Sequence, residues 1–374
     1  MSSCKGSVLF SAGASAVAIS LLFTPTAFAQ SPDVTASTTA TAATTGAASP
    51  LKFDAFVDTY YAYDTNGPTN FDRAFTTQPA RSDEFNINLA YVGATYAQDR
   101  IHGRLALQAG TSVQSNYAAE PTNGTVSGPS LSRNIQEAYA GYEVAKGVWI
   151  DAGTYFSHVG AEGFISRDNL TYTRSLVADY SPYYQSGVRA TYQVNDKLSL
   201  QGHLINGWQT VSENNHSKMG GTQIAYAFAP NFSVSYSTLF GRESQFRHFH
   251  DVVAKYSPSS DLDLVAQVDA GFQDTKSWWG AVAIARYKLT PVSAISLRAE
   301  KYEDPDQVII TTSSTSPGFK GTGASIGYDR DLAPQLKWRS EYRQLWTTEA
   351  VVPSSNGLRN GTGLAVTSLA LSLN

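Results

Sequence analysis

Cysteine is almost missing from this 374-residue chain, and the single one, Cys4, lies within the first few residues. A mature form without those residues has no thiol, which excludes disulfides, cysteine metal sites and thiol nucleophiles. Charge is scarce too, at 16% of residues against about 25% in an ordinary soluble protein. The formal net charge is −4, so no basic excess points to a nucleic-acid partner. No Gly-rich phosphate loop is present. After residue 29, no apolar run approaches the roughly 20 residues of a helical membrane span. What is plentiful is aromatic: 21 Tyr, 17 Phe and 6 Trp.

The opening "MSSCKGSVLFSAGASAVAISLLFTPTAFAQ" places Lys5 before an apolar run and ends in Ala27-Phe28-Ala29. Small residues flanking Phe28 make a cleavage site, so residues 1–29 are expected to be an export signal, cut between Ala29 and Gln30. Cys4 precedes the apolar run and is not placed for a lipid anchor. Residues 30–50, "QSPDVTASTTATAATTGAASP", are small and polar and read as a flexible linker. From Leu51 to Asn374 the texture is uniform and reads as one domain.

Alternation with period two dominates that domain. "LDLVAQVDAGFQ" sets Leu262, Leu264, Ala266, Val268, Ala270 and Phe272 against Asp263, Gln267, Asp269 and Gln273. "IHGRLALQAG", "YQSGVRATYQV" and "LKWRSEYR" repeat the pattern, with Arg104, Arg189 and Arg339 on their polar faces. A soluble sandwich also alternates. These runs are longer than the usual globular strand, about 5–6 residues, and suit a tilted membrane strand. Tyr60, Tyr61, Tyr63, Trp149, Trp208, Trp278, Trp279 and Trp346 sit near strand ends, where interfacial girdles are expected.

The connections alternate between tight and long. Tight turns are read at 97–100, 145–147, 194–196, 229–231, 257–261, 289–291 and 331–335. Longer polar segments fall at 65–83, 115–132, 157–183, 210–217, 242–246, 274–277, 303–318 and 347–360. The expected fold is therefore all-β: a transmembrane antiparallel β-barrel of about 16 strands (roughly 14–18), with short periplasmic turns and longer extracellular loops. Its first and last strands, "KFDAFVDTYYAYD" and "LAVTSLALSL", should pair, because hydrocarbon offers an open edge no partner.

A family resemblance rests on an ordered series of patches. These are "SRNIQEAYAGYEVAKGVWIDAGTYFSHVGAE", "SRDNLTYTRSL", "YSPYYQSGV", "NGWQ", "EN" and "FGRE". Together they resemble the Putative beta-barrel porin-2 (OmpL-like) family of outer-membrane proteins, from about Phe53 to the end. The resemblance implies a barrel in the bacterial outer membrane with a pore function, and supplies no solute.

The histidines are the first candidates for chemistry. His248 and His250 share a strand face near Asp251, a weak metal signal, and neither metal nor cofactor is expected. His158, Asn169 and Ser175 have the residue types of a hydrolase centre but lie in one loop, with no sign of a nucleophile held against its base. The lumen is more informative. Polar strand faces carry Arg104, Asp151, Arg189, Arg298, Glu300, Arg339, Glu341 and Arg343 as candidate wall residues. The third long segment, 157–183, is also the longest, and general porins fold their third loop inward. Its Glu162, Arg167, Asp168, Arg174 and Asp179 are therefore candidate constriction residues, the three acids facing Arg104 and Arg189. The expected function is passive diffusion of small hydrophilic solutes or ions through a water-filled lumen, in contact with outer-membrane lipid and with no chemical step. Alternatives are a structural or adhesive barrel with a plugged lumen, and an outer-membrane hydrolase. Sixteen-strand porins are commonly trimers, so a homo-oligomer is a further expectation.

Overall fold

The computed structural model describes residues 49–312 and 318–373. The expected leader, and all but the last two residues of the expected linker, lie outside the described residues. Alternating runs become long strands: β1 (Leu51–Asp64), β2 (Phe85–Gln98), β3 (Ile101–Ala109), β4 (Ile135–Ala145), β5 (Val148–Phe156), β6 (Tyr184–Asn195) and β7 (Leu198–Ile205). They continue as β8 (Met219–Ala229), β9 (Phe232–Arg242), β10 (Phe246–Tyr256), β11 (Leu262–Gln273) and β12 (Lys276–Thr290). The series ends with β13 (Ser293–Asp304), β14 (Phe319–Ala333), β15 (Leu336–Thr347), a small external hairpin of β16 (Val352–Ser354) and β17 (Gly357–Arg359), and β18 (Gly361–Leu373).

Every strand except those of the small hairpin joins one closed antiparallel barrel. Closure is made by β1 and β18, in register from Ala55 opposite Leu373 to Asp64 opposite Leu364. Closure leaves the barrel no free strand edge, as a hydrocarbon surround demands.

The faces decide the environment. Apolar side chains point outward and stay exposed: Leu105 at 55%, Val268 at 51%, Leu297 at 54% and Leu369 at 45%. Their polar neighbours point inward and are buried, among them Asp58, Arg189, Asp269, Arg298 and Arg339. A soluble sandwich would bury the apolar face instead.

The tight turns all lie on one rim, assigned to the periplasm by the loop asymmetry of such barrels. The other rim carries L1 (65–84), L2 (110–134), L3 (157–183), L4 (206–218), L5 (243–245), L6 (274–275), L7 (305–318) and L8 (348–360). The aromatic expectation is partly corrected. Tyr63, Trp279 and Trp346 face outward at the external rim, and Tyr96, Tyr142, Tyr192, Tyr256 and Tyr287 form the periplasmic belt. Tyr60 and Trp278 are buried inside, Trp208 packs in L4 against Trp278 and Phe249, and Trp149 stacks on His102. Strand position alone does not separate the two faces at a strand end; parity does. Tyr184, which shares its strand parity with the outward Val188, is also buried. A short helix, α1 (Thr111–Asn116), brings Tyr117 over it at 4.2 Å, and its hydroxyl donates to Glu120.

The barrel holds an interior apolar core at its external end. Val159, Leu170, Leu176 and Val177 of L3 pack there with Val351 and Val352, Ile310 of L7, and inward wall residues such as Trp278 and Phe319. Phe75 of L1 and Trp208 of L4 pack against the same cluster.

Candidate functional site

L3 begins where β5 ends and returns at β6, so both its ends are fixed on neighbouring strands. Between them it leaves the rim and enters the lumen. Its only regular pieces are a 3-10 turn at Ser166–Asp168 and one helical turn, α2 (Leu176–Asp179), capped by the Ser175 hydroxyl. Most of its backbone therefore lacks partners of its own, and irregular backbone at membrane depth must find them in the wall.

The wall supplies them. Gly160 N–H donates to Asp251 on β10 at 3.2 Å, and Ala161 N–H to Gln267 on β11 at 2.9 Å. Thr173 N–H and hydroxyl donate to the two Glu341 oxygens on β15, at 2.7 and 2.8 Å. Leu176 N–H donates to Glu300 on β13 at 2.6 Å. The cations take the carbonyls. Arg298 donates to Thr173 O, and to Thr171 Oγ1 at 3.0 Å. Arg339 donates to Ser166 O, and to Asn169 O at 3.0 Å. On β1, Asp58 accepts from Ser166 Oγ at 2.7 Å and from Tyr172 at 3.3 Å. Ser181 Oγ lies 2.7 Å from Asp269 on β11. Five strands far from β5 and β6 thus hold the loop, and its path crosses the barrel interior.

Each candidate loop residue has a distinct place. Glu162 is buried, 3.9 Å from Arg298 and bonded by Ser175. Burial pushes its carboxyl up to about 7, against the opposing pull of Arg298 and the Ser175 donors. Arg174 and Asp179 pair at 3.4 Å, both buried; Arg174 lies over the Tyr183 ring at 3.7 Å. Thr77 of L1 bonds both of them, so this pair braces L3 to L1. Arg167, at the loop tip, donates to Pro334 O in the β14–β15 turn at 3.4 Å, so L3 reaches the periplasmic rim. Asp168 beside it is exposed. Burial of its surroundings raises its carboxyl, offset by Arg167, Lys337 and Arg339.

The expected pairing of Glu162, Asp168 and Asp179 with Arg104 and Arg189 does not form. Arg104 is taken by Asp54 at 2.8 Å and Glu137 at 2.7 Å, and Arg189 by Asp151 at 2.7 Å. These partners sit on adjacent or next-adjacent strands, which puts them nearer than the loop. Two links of the wall step over a strand. Asp54 and Arg104 meet across β2 at Gly93, and His102 reaches Asp151 across β4 at Gly141. A Cβ on Gly141 would lie 2.1 Å from both the His102 and Asp151 side chains, so only glycine leaves them room.

The wall divides into two sectors. On β13–β15, Arg298, Glu300, Arg339, Glu341 and Arg343 are buried and committed to L3 or to one another. Towards the periplasm, Asp54, Arg104, Arg286, Lys337 and Asp331 keep part of their side chains open. Together with Arg167 and Asp168 they line a vestibule of nearly balanced charge. Sequence reasoning set Gln267 and Lys337 on polar strand faces without assigning them a contact, and missed Asp58, Gln223 and Asp251 as partners of L3. Strand parity puts each on the inward face and was the available signal.

The hydrolase types are dispersed among other partners. His158 lies between Gln185 and Thr238 O and stacks on His203 at 3.9 Å; burial pushes its imidazole down to about 4. Asn169 bonds Gly163, and Ser175 bonds Glu162. His248 and His250 face outward while Asp251 faces inward, so the three do not converge. Among the described residues no cluster suits a metal ion.

The model of the family described as Putative beta-barrel porin-2, OmpL-like, matches residues 50–373. No curated protein sequence matches. Among solved structures the fold is similar to Salmonella typhi OmpF in complex with daunomycin, at 13% identity and a TM-score of 0.60, covering 86% of this chain and 97% of that one. It is similar to the outer-membrane channel DcaP of Acinetobacter baumannii, at 12% and 0.58, covering 86% and 97%. It is also similar to an anion-selective porin from Comamonas acidovorans, at 9% and 0.53, covering 86% and 99%. With the sixteen-strand closed barrel and its outward apolar belt already in place, the chain belongs to the Putative beta-barrel porin-2, OmpL-like family and is an outer-membrane porin.

Proposed function

We propose that this porin passes small hydrophilic solutes by passive diffusion, without a chemical step, and that L3 sets the narrowest part of the path. The observation that carries this reading is the set of hydrogen bonds from β1, β10, β11, β13 and β15 to the L3 backbone. These bonds support a loop held inside the lumen, where it would reduce the free cross-section. The open vestibule charges, Asp54, Arg104, Arg167, Asp168 and Lys337, then meet the permeating ion. Because their signs nearly balance, selectivity is expected to be weak and tunable. The test is reversal potential in asymmetric salt. Arg104→Gln and Lys337→Gln should each shift it towards cations, and unchanged potentials would remove both residues from the path.

A plugged, structural or adhesive barrel is favoured by one observation, the apolar cluster that L1, L3, L4, L7 and L8 build in the external mouth. Liposome swelling with sugars of graded size separates the two: a plugged barrel passes none. We also propose that the protein forms homo-oligomers. A groove of about 430 Å³ at the β1–β18 seam, lined by Thr59, Tyr61, Phe85, Trp338, Thr367 and Leu369, offers a second copy a recess on the outward face. Cross-linking of the detergent-solubilised protein checks this, and monomer alone would exclude it.

A further inference from the structure

We propose that the outward face of β12–β15, at the external rim, binds the phosphate-bearing headgroup of an outer-leaflet lipid. The patch follows from register and parity. Trp279 stands opposite Glu303, and Glu303 opposite Lys320. One row deeper, Lys301 stands opposite Thr322, and Thr322 opposite Trp346. All of these face outward, away from the lumen. Two ammoniums therefore sit between two tryptophans at the level where the barrel leaves hydrocarbon.

The geometry suits a lipid in both halves. Lys301 lies 5.2 Å above the Trp279 ring and 2.9 Å from Glu303, which fixes its ammonium at the interface. Lysine stems can lie along apolar surface while their heads reach the polar zone, where a phosphate would meet Lys301 and Lys320. Two ammoniums against one carboxylate leave a net positive charge, and a cavity of about 350 Å³ opens between the lysines, Trp346 and Thr348. Directly beneath, towards the membrane centre, the next outward row is Ala283, Ala299 and Ala324. Larger side chains, Leu297 and Ile326, resume two residues further along β13 and β14. The small row leaves a shallow trough under the charged patch, sized for an acyl chain. A charged patch alone would suit any anion; the trough below it selects a lipid.

Native mass spectrometry of the whole purified protein tests this. The probes are a bisphosphorylated glucosamine-based lipid, its dephosphorylated counterpart and inorganic phosphate. Wild type should retain the phosphorylated lipid preferentially, and millimolar inorganic phosphate should not displace it. K301Q/K320Q should weaken retention by about 30-fold, from roughly 1 kcal/mol for each lysine near a charged surface. Both lysines are exposed, so the variant should fold, and unchanged heat-modifiable gel migration confirms that. Ala299→Phe, which fills the trough, should also weaken retention, whereas Lys218→Gln on L4 should not. Wild-type retention by K301Q/K320Q, or equal retention of the dephosphorylated lipid, would overturn the proposal. Displacement by phosphate would show a free-anion site instead, and lipid-independent cross-links through Lys320 would show a contact between copies.

Discussion

At the residue scale, the interior charges work chiefly as backbone partners. Arg298 is the clearest case: it touches Thr171 and Thr173 of L3 and lies beside Glu162, Glu300 and Glu341. Arg298→Ala would strip these buried carboxylates of their shared cation, a change typically costing about 3–5 kcal/mol. We expect that cost to appear as a released loop, seen by faster hydrogen exchange across 160–176, with the barrel ladder protected as before. Glu162 adds pH dependence. Its docked carboxyl titrates at about 7 against an ordinary 4.5, so the neutral form is favoured in place. The sign follows: docking is strongest below pH 4.5, weakens as pH rises towards 7, and changes no further above that. The shift corresponds to roughly 3 kcal/mol at most. Channel noise or exchange in L3 should therefore increase between pH 5 and pH 8, and Glu162→Gln should flatten the dependence.

At the scale of elements, strands and loop are built on different rules. A strand carries its own pattern, which is why all seven tight turns and the eight longer connections were legible from alternation and turn residues. The inward course of L3 was legible only by analogy. Nothing in "AEGFISRDNLTYTRSLVADYSPYYQSG" shows that its amides and carbonyls will be matched by Asp251, Glu300, Glu341 and Arg339, residues far away in the chain. The same blindness produced the misplaced pairings of Arg104 and Arg189, whose partners are set by strand adjacency and by the gaps at Gly93 and Gly141. Gly141→Val should thus separate His102 from Asp151. It should lower the heat-modification temperature of the barrel without altering L3 protection. Replacing 164–175 with a Gly-Ser linker should do the opposite, leaving the sixteen-strand barrel intact while removing the inward loop.

At the scale of the whole molecule, the two rims differ. The external mouth is packed with apolar side chains from several loops, while the periplasmic half keeps charges open to water. A barrel of sixteen strands is wide enough for an aqueous channel, so on the proposed reading flow is limited by the material folded into it. That places the central claim on L3. The most direct test is single-channel conductance of the purified protein in planar bilayers, comparing wild type with the 164–175 replacement. Wild type should give discrete, reproducible steps, and the replacement should raise their size by at least about twofold. Absence of steps in wild type, or steps of equal size in both proteins, would contradict the account.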